Sequence, residues 1–117
     1  MTPLRAHDHA QRLFSLLGRH YRRAGYDWPA CLRGCPVPIA DYESEADLHT
    51  LKPDEPTLTL AAQRLINAAF AQIVQRHGGH PRIIQIHTTA YLRWLAENHQ
   101  VNTSSARAAY LTTLIDP

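Results

Sequence analysis

Hydrophobic residues recur at helical spacing over residues 57–74, the longest apolar-rich stretch of the chain. The stripe consists of Leu58, Ala61, Ala62, Leu65, Ile66, Ala69, Phe70, Ile73 and Val74. A helix with so broad an apolar face is normally buried against two or more partners. Thr57 or Thr59 can cap its start, and the glycine pair at 78–79 is typical of a helix end. The pattern therefore predicts a central helix at about 58–77.

A second apolar face lies near the N-terminus, where Thr2 and Pro3 are typical of a helix start. Its apolar positions are Ala10, Leu13, Phe14, Leu17 and Tyr21. The pattern predicts a first helix that Gly25 ends. The last turn of this helix contains Arg19, Arg22 and Arg23. Cations in that position interact favourably with the negative end of the helix dipole.

Prolines interrupt the chain between these two helices. Pro29, Pro36 and Pro38 argue against a helix or a central strand, so residues 26–40 are expected to be irregular. Residues 41–51 are expected to form a short acidic helix, followed by a loop at 52–56 that contains two further prolines.

The C-terminal half admits two interpretations. The apolar-face positions Ile84, His87, Tyr91 and Leu95 recur at helical spacing. They favour one helix over 81–98, because the adjacent isoleucines at 83 and 84 do not alternate. The rival interpretation is a strand at 82–86 followed by a helix that Thr88 caps. A last helix begins at Asn102 or Thr103 and carries Ala106, Ala109, Tyr110 and Leu114. The predicted fold is all-α: one small domain, residues 1–117, with four to five helices around the central helix.

Length and composition set the class of protein. The chain has 117 residues, of which 44% are hydrophobic, so one globular domain with a real core is expected. Apolar runs fall short of the ~20 residues that a bilayer requires, and no secretory signal is visible, so a cytoplasmic location is expected. Arginine supplies eleven of the twelve basic residues, a bias that suggests a GC-rich bacterial or phage source.

Acidic residues are concentrated in the middle of the chain. Residues 34–56 carry six acids against one lysine, whereas residues 1–33 and 57–117 are both net basic. Such a run usually marks a solvated connection, but it can also present a face to a basic partner. Large rings are numerous for a small domain, and aromatic residues are enriched in interfaces. The candidate partner-binding residues are Trp28, Tyr42, Glu43, Glu45 and Asp47. The expected partner is a protein with a basic face, and a homodimer stays open.

Residues 95–114 resemble the core of a helix-turn-helix. The matching positions are Leu95, Ala96, Glu97, Val101, Asn102, Ser104, Ser105, Ala106 and Tyr110. The resemblance implies that the second helix enters the major groove of DNA. Its DNA-contacting residues would be Thr103, Ser104, Ser105 and Arg107. His99 and Gln100 depart from the pattern, which usually has an apolar residue and a glycine there, and a single arginine supplies little phosphate neutralisation.

Zinc ligation and catalysis are the other chemistries that the sequence raises. Cys31 and Cys35 are spaced C-x3-C and His77 and His80 are spaced H-x2-H, which could form a tetrahedral zinc site. The glycine pair between the histidines and the distance between the two pairs argue against it, so no metal or cofactor is expected. No nucleophile elbow or phosphate-binding glycine loop is present. The sequence therefore predicts a non-enzymatic protein-interaction module of adaptor or inhibitor type. A helix-turn-helix DNA-binding regulator and a small zinc-binding domain are the alternatives.

Overall fold

The computed structural model describes residues 1–115, which contain five α-helices, a 3₁₀ turn and two β-strands. In chain order they are α1 (Pro3–Arg23), the 3₁₀ turn (Ala30–Leu32), β1 (Pro36–Tyr42), α2 (Glu45–Leu51), α3 (Leu60–Arg76), β2 (His80–Ile86), α4 (Thr88–Glu97) and α5 (Ser104–Ile115). The two strands form a parallel sheet. The fold therefore mixes helix and sheet, and the prediction of an all-α fold is wrong.

Strand β1 occupies part of the segment that was expected to be irregular. Val37, Ile39 and Tyr42 are buried along it, although Pro36 and Pro38 lie in the same strand. Proline is tolerated in edge strands, and both strands of a two-stranded sheet are edges. The prolines therefore do not exclude a strand here, and the predicted irregular segment is without a strand only over residues 26–35.

Strand β2 replaces the first part of the helix predicted over 81–98. The chain enters the parallel ladder at His80, whose N–H donates to the carbonyl of Cys35 at 2.8 Å. At the other end of β2, the side chain of Ile86 is completely buried. Helix α4 then begins at Thr88, after a cap residue, His87, that makes no side-chain capping bond. The strand-then-helix interpretation is correct, except that Thr88 is not the cap.

The predicted helix starts are confirmed where a threonine caps them. Thr2 accepts a hydrogen bond from the N–H of Arg5 at 3.2 Å, and Thr59 accepts one from Ala62 at 3.0 Å. The third, Thr103, accepts one from the N–H three residues later. These side-chain oxygens satisfy backbone donors that have no partner within the helix.

Two compact units divide the structure. Unit 1 consists of residues 1–37 and 64–82, and unit 2 consists of residues 38–63 and, among the described residues, 83–115. The boundary falls within β1, α3 and β2, so these three elements belong partly to each unit. The expectation of a single domain stays a prediction. Within residues 1–115, every helix is too short or too polar to cross a membrane.

Each unit has its own set of packed aromatic side chains. In unit 1 the ring of Phe14 lies 4.8 Å from that of Trp28, which lies 5.3 Å from that of Tyr21. In unit 2, Tyr91 and Tyr110 lie 5.2 Å apart within a larger apolar cluster. That cluster consists of Tyr42, Leu48, Leu51, Ile86, Tyr91, Leu95, Ala106, Tyr110 and Leu111.

Helix α3 buries a narrower apolar face than predicted. Ala62, Ile66, Ile73 and Val74 are buried as expected, whereas Leu65 is 37% exposed. The buried stripe also includes two polar residues, Gln63 and Asn67. Both carry interactions within the protein, as buried amides require.

Candidate functional site

The predicted acidic surface is largely engaged inside unit 2. A carboxylate oxygen of Glu45 accepts a hydrogen bond from the N–H of Leu60 at 2.9 Å. This places a negative charge at the first residue of α3, where the helix dipole is positive. Glu43 lies 2.5 Å from the Nδ1 atom of His87, at the start of α4. Both carboxylates therefore tie distant helix starts to the segment around α2.

Asp47 has the same kind of structural role. One carboxylate oxygen accepts from the hydroxyl of Thr88 at 2.9 Å, and the other accepts from the hydroxyl of Ser44 at 2.8 Å. The N–H of Asp47 in turn donates to the Ser44 hydroxyl at 3.1 Å, which caps α2. The carboxylate of Asp47 thus has hydrogen-bond partners on both oxygens.

The two aromatic residues predicted to contact a partner are buried. Tyr42 is 3% exposed in unit 2 and Trp28 is 8% exposed in unit 1. Burial raises the pKa of Tyr42 above its ordinary value of 10, against a smaller lowering by the charge of Arg107. Both rings therefore stabilise the interior of their own units.

Helices α4 and α5 depart from helix-turn-helix geometry. Residues 98–103 separate them, six residues where the motif has a turn of about three or four. His99 has a left-handed backbone, with φ of 53°. Val101, which matched an apolar position of the motif, is 78% exposed and so does not pack between the helices.

The arginine predicted to contact DNA takes part in a hydrogen-bond network inside unit 2. Nη1 of Arg107 donates to the carbonyl of Leu51 at 3.0 Å and to Oδ1 of Asn102 at 2.9 Å. The Tyr91 hydroxyl donates to the same Oδ1 at 2.9 Å, and Nδ2 of Asn102 donates to Leu51 at 2.8 Å. Burial raises the pKa of Tyr91, and Arg107 opposes that shift. Arg107 therefore holds the start of α5 to the end of α2.

The other DNA-contact candidates lie at the start of α5. Thr103 uses its hydroxyl oxygen to cap the helix, through the bond from Ala106. Ser104 and Ser105 are exposed in the first turn. The DNA-binding alternative stays a prediction, now with only small polar side chains at the proposed contact.

The four candidate zinc ligands are not brought together as a site. The Cys35 thiol donates to the carbonyl of Cys31 at 3.3 Å, and both cysteines are free thiols. The ring of His77 stacks on Phe14, with the ring centres 4.9 Å apart. Over residues 1–115, no three histidine, cysteine or acidic side chains, these four included, are grouped closely enough to hold a metal ion.

The exposed side of α1 lies outside the candidate site residues that the sequence suggested. Arg5, Arg12 and Arg19 follow one another every seven residues, close to two helical turns, and therefore lie in a row. All three are exposed, and none has a side-chain hydrogen bond or ion pair among the described residues. The sequence signal is this spacing of seven residues. The helix dipole accounts only for arginines near the end of α1, and Arg5 and Arg12 lie far from that end.

Leucines lie among these arginines on the same helix. Leu4 is 72% exposed, Leu13 40% and Leu16 57%. Leu16 also lines an open groove of about 620 Å³, together with Arg12 and Arg19. We call the exposed arginines and leucines of α1 the α1 surface. It consists of Leu4, Arg5, Arg12, Leu13, Leu16, Arg19, Arg22 and Arg23.

Charge separates sharply between the two units. Unit 1 contains nine arginines against Asp8 and Asp27, a formal net charge of +7. Unit 2, up to residue 115, contains three basic residues against seven acids, a net charge of −4. The α1 surface therefore lies on a strongly basic unit. Comparisons of the chain with protein-family models, curated proteins and solved structures gave no match.

Proposed function

We propose that this protein is a non-enzymatic protein-interaction module that binds an acidic protein partner through the α1 surface. The observation that carries the proposal is the row of exposed arginines on α1, which are unpaired among the described residues, with the exposed Leu16 on the same side of the helix. Arginine is enriched in protein interfaces, and a cluster of exposed apolar side chains marks a contact site more often than isolated ones do.

Electrostatics support an acidic partner. The basic charge of unit 1 would steer an acidic surface towards α1 and raise the association rate. Leu16, which lies beside the arginines, would then be desolvated in the complex and would slow its dissociation. Nucleic acid fits less well, because its interfaces are more polar than protein interfaces and offer little apolar surface to three exposed leucines.

The hydrogen bonds of the acidic segment support this location over the one expected from sequence. Glu45 and Asp47 already bind backbone or hydroxyl groups within unit 2, and Glu43 pairs with His87. A basic partner would have to compete with these bonds. The arginines of α1 need no such exchange, because their side chains form no hydrogen bond or ion pair with the described residues.

The first experiment identifies the partner by cross-linking. A photoreactive amino acid at Leu16 should attach the protein to an acidic protein in an extract of the source cells. The same amino acid at Thr112, exposed on α5, serves as the control position. Nuclease treatment of the extract should leave the adduct intact; an adduct that needs nucleic acid, or equal labelling from both positions, contradicts the proposal.

The second experiment measures rates with the purified partner. Replacing Arg12 and Arg19 by glutamine should slow association at least tenfold at low salt and less at high salt, because screening weakens steering. Leu16→Ala should instead speed dissociation. The matched control replaces Arg82 and Arg93 by glutamine, which removes the same charge from other exposed sites. Equal slowing in both double variants would show that net charge, not the α1 surface, governs binding.

A further inference from the structure

Unit 1 contains a second concave site, whose lining includes no residue of the α1 surface. Its volume is about 390 Å³, and its lining residues are Pro29, Ala30, Arg33, Arg76, His77 and Gly78. Two guanidinium groups and one imidazole thus border the same pocket, and none of the lining residues is acidic. We call it the arginine pocket.

Backbone hydrogen bonds hold the two walls of the arginine pocket together. The N–H of Gly34 donates to the carbonyl of Gly78 at 2.9 Å, and the N–H of His80 donates to the carbonyl of Cys35 at 2.8 Å. These bonds join the segment that carries Arg33 to the turn that follows Arg76. The pocket is therefore shaped by backbone pairing next to the sheet and does not depend on flexible side chains alone.

Gly78 allows this close approach. Its φ is +84°, a conformation that other residues rarely adopt, and a Cβ there would lie 3.1 Å from Cγ of Arg33. His77 is also positioned, because its ring stacks on Phe14 at an angle of 15°. The three polar groups of the pocket thus come from a preorganised turn and from the segment packed on it.

The charges in the pocket are not paired with any side chain in the described part of the chain. Neither Arg33 nor Arg76 has a side-chain ion pair or hydrogen bond among the described residues, and both side chains are exposed. Arginine presents a fork of N–H donors that matches phosphate oxygens, and imidazole adds a further donor. Three donor groups around one concavity suit an anion with three terminal oxygens.

We propose that the arginine pocket binds the phosphate group of a phosphate monoester. Arg33 and Arg76 contact its terminal oxygens from opposite walls, with His77 beside them. Pro29 and Ala30 supply an apolar wall for the group that the ester carries. The pocket is larger than a phosphate ion needs, and its volume lies in the range of small-molecule sites. This site is independent of the α1 surface.

Titration followed by NMR tests the proposal. The probes are inorganic phosphate, phenyl phosphate and a phosphoserine peptide, each added to ¹⁵N-labelled protein at constant ionic strength with sodium chloride as compensation. Saturable shifts of the amide signals are expected at residues 30–34 and 76–79. Tighter binding of phenyl phosphate than of the peptide identifies a small-molecule ester as the source, and the reverse order identifies a phosphorylated protein.

Matched variants separate a site from general charge. Arg33→Gln and Arg76→Gln should each weaken binding of the best probe at least tenfold, and Arg33→Lys should weaken it less. Arg82→Gln removes the same charge from β2 in the same unit, without lining the pocket, and should stay within twofold of wild type. Shifts that do not saturate with any probe, or an equal loss in Arg82→Gln, would overturn the proposal. The dispersion of the NMR spectrum reports whether each variant is folded.

Discussion

Gly18 is the point at which α1 makes room for the indole of Trp28. The residue lies inside α1 and is buried. A Cβ at position 18 would lie 2.5 Å from Nε1, 2.8 Å from Cδ1 and 3.0 Å from Cε2 of the indole. In an exposed helix interior, replacing glycine by alanine stabilises by about 1 kcal/mol. Here the same substitution forces a rigid, buried ring to move.

The displacement should outweigh the gain in helix propensity. The ring of Trp28 is 8% exposed and packs 4.8 Å from Phe14 and 5.3 Å from Tyr21. Overpacking a dense core typically costs ~1–3 kcal/mol, and an approach below 3.0 Å by two atoms argues for the upper part of that range. After subtraction of the propensity gain, we expect Gly18→Ala to lower the free energy of unfolding by about 1–2 kcal/mol.

A double-mutant cycle gives the test its sharpest form. In a Trp28→Leu background the indole is gone, so Gly18→Ala should raise the free energy of unfolding by about 1 kcal/mol. All four proteins are compared by urea unfolding, followed by far-ultraviolet circular dichroism, because the helical signal does not depend on Trp28. A stabilising effect of Gly18→Ala in the wild-type background would refute the packing argument.

Three further predictions concern unit 2. Glu45→Ala should lower the free energy of unfolding by about 1 kcal/mol, because it removes the acceptor for the N–H of Leu60, and Glu45→Gln should recover most of that loss. Both variants are measured by urea unfolding, and equal stability of the two would contradict the capping role. Asn102→Ala should lower it by ~2–3 kcal/mol in the same assay, because three partners lose a hydrogen bond, whereas a loss below ~1 kcal/mol would show that the network contributes little. Burial raises the pKa of Tyr42 and Tyr91 in the folded state, so the free energy of unfolding should be highest below about pH 10 and should fall as the pH rises further. Urea midpoints measured up to about pH 11 should fall less when both tyrosines are replaced by phenylalanine. An equal fall in the double variant and in wild type would assign the alkaline sensitivity to other groups.

The helices of this protein could be predicted because their signals are local. The apolar spacing and the capping threonine of α1 lie within the segment that forms it, and the same holds for α3. Capping bonds span three residues, as the bond from Arg5 to Thr2 does, so a short window of sequence contains both partners. Gly18 also falls within the predicted first helix. The indole of Trp28, which leaves no room for a side chain at position 18, lies outside that helix.

The sheet could not be predicted in the same way, since strand pairing is not local. Strands β1 and β2 are separated by two helices, and parallel strands always require such a crossover. The prolines predict an irregular segment up to residue 40, and the adjacent isoleucines favour a helix from residue 81. The structure instead has strands at Pro36–Tyr42 and His80–Ile86. Each of the two segments becomes a strand because it pairs with the other, and a short window of sequence does not contain both segments.

The candidate site shows the same limit for charges. The acidic run was visible in the sequence, but the partners of its carboxylates were not: Leu60 is 15 residues from Glu45, and His87 is 44 residues from Glu43. Sequence reveals where charge is concentrated. Which charges are bound within the fold and which are left for a partner follows only from tertiary contacts.

The basic charge of unit 1 should lower its stability, which gives the α1 surface a signature of its own. Nine arginines against two aspartates repel one another, and a separation of about 10 Å along α1 is within the range that low salt leaves unscreened. Replacing Arg12 and Arg19 by glutamine should therefore raise the free energy of unfolding at low salt, and the gain should shrink as sodium chloride is added. If these arginines instead stabilised the fold, the double substitution would lower the free energy of unfolding, because it would remove stabilising bonds. If the double variant is less stable than wild type at low salt, these arginines support the fold, and the proposed interface loses its main argument.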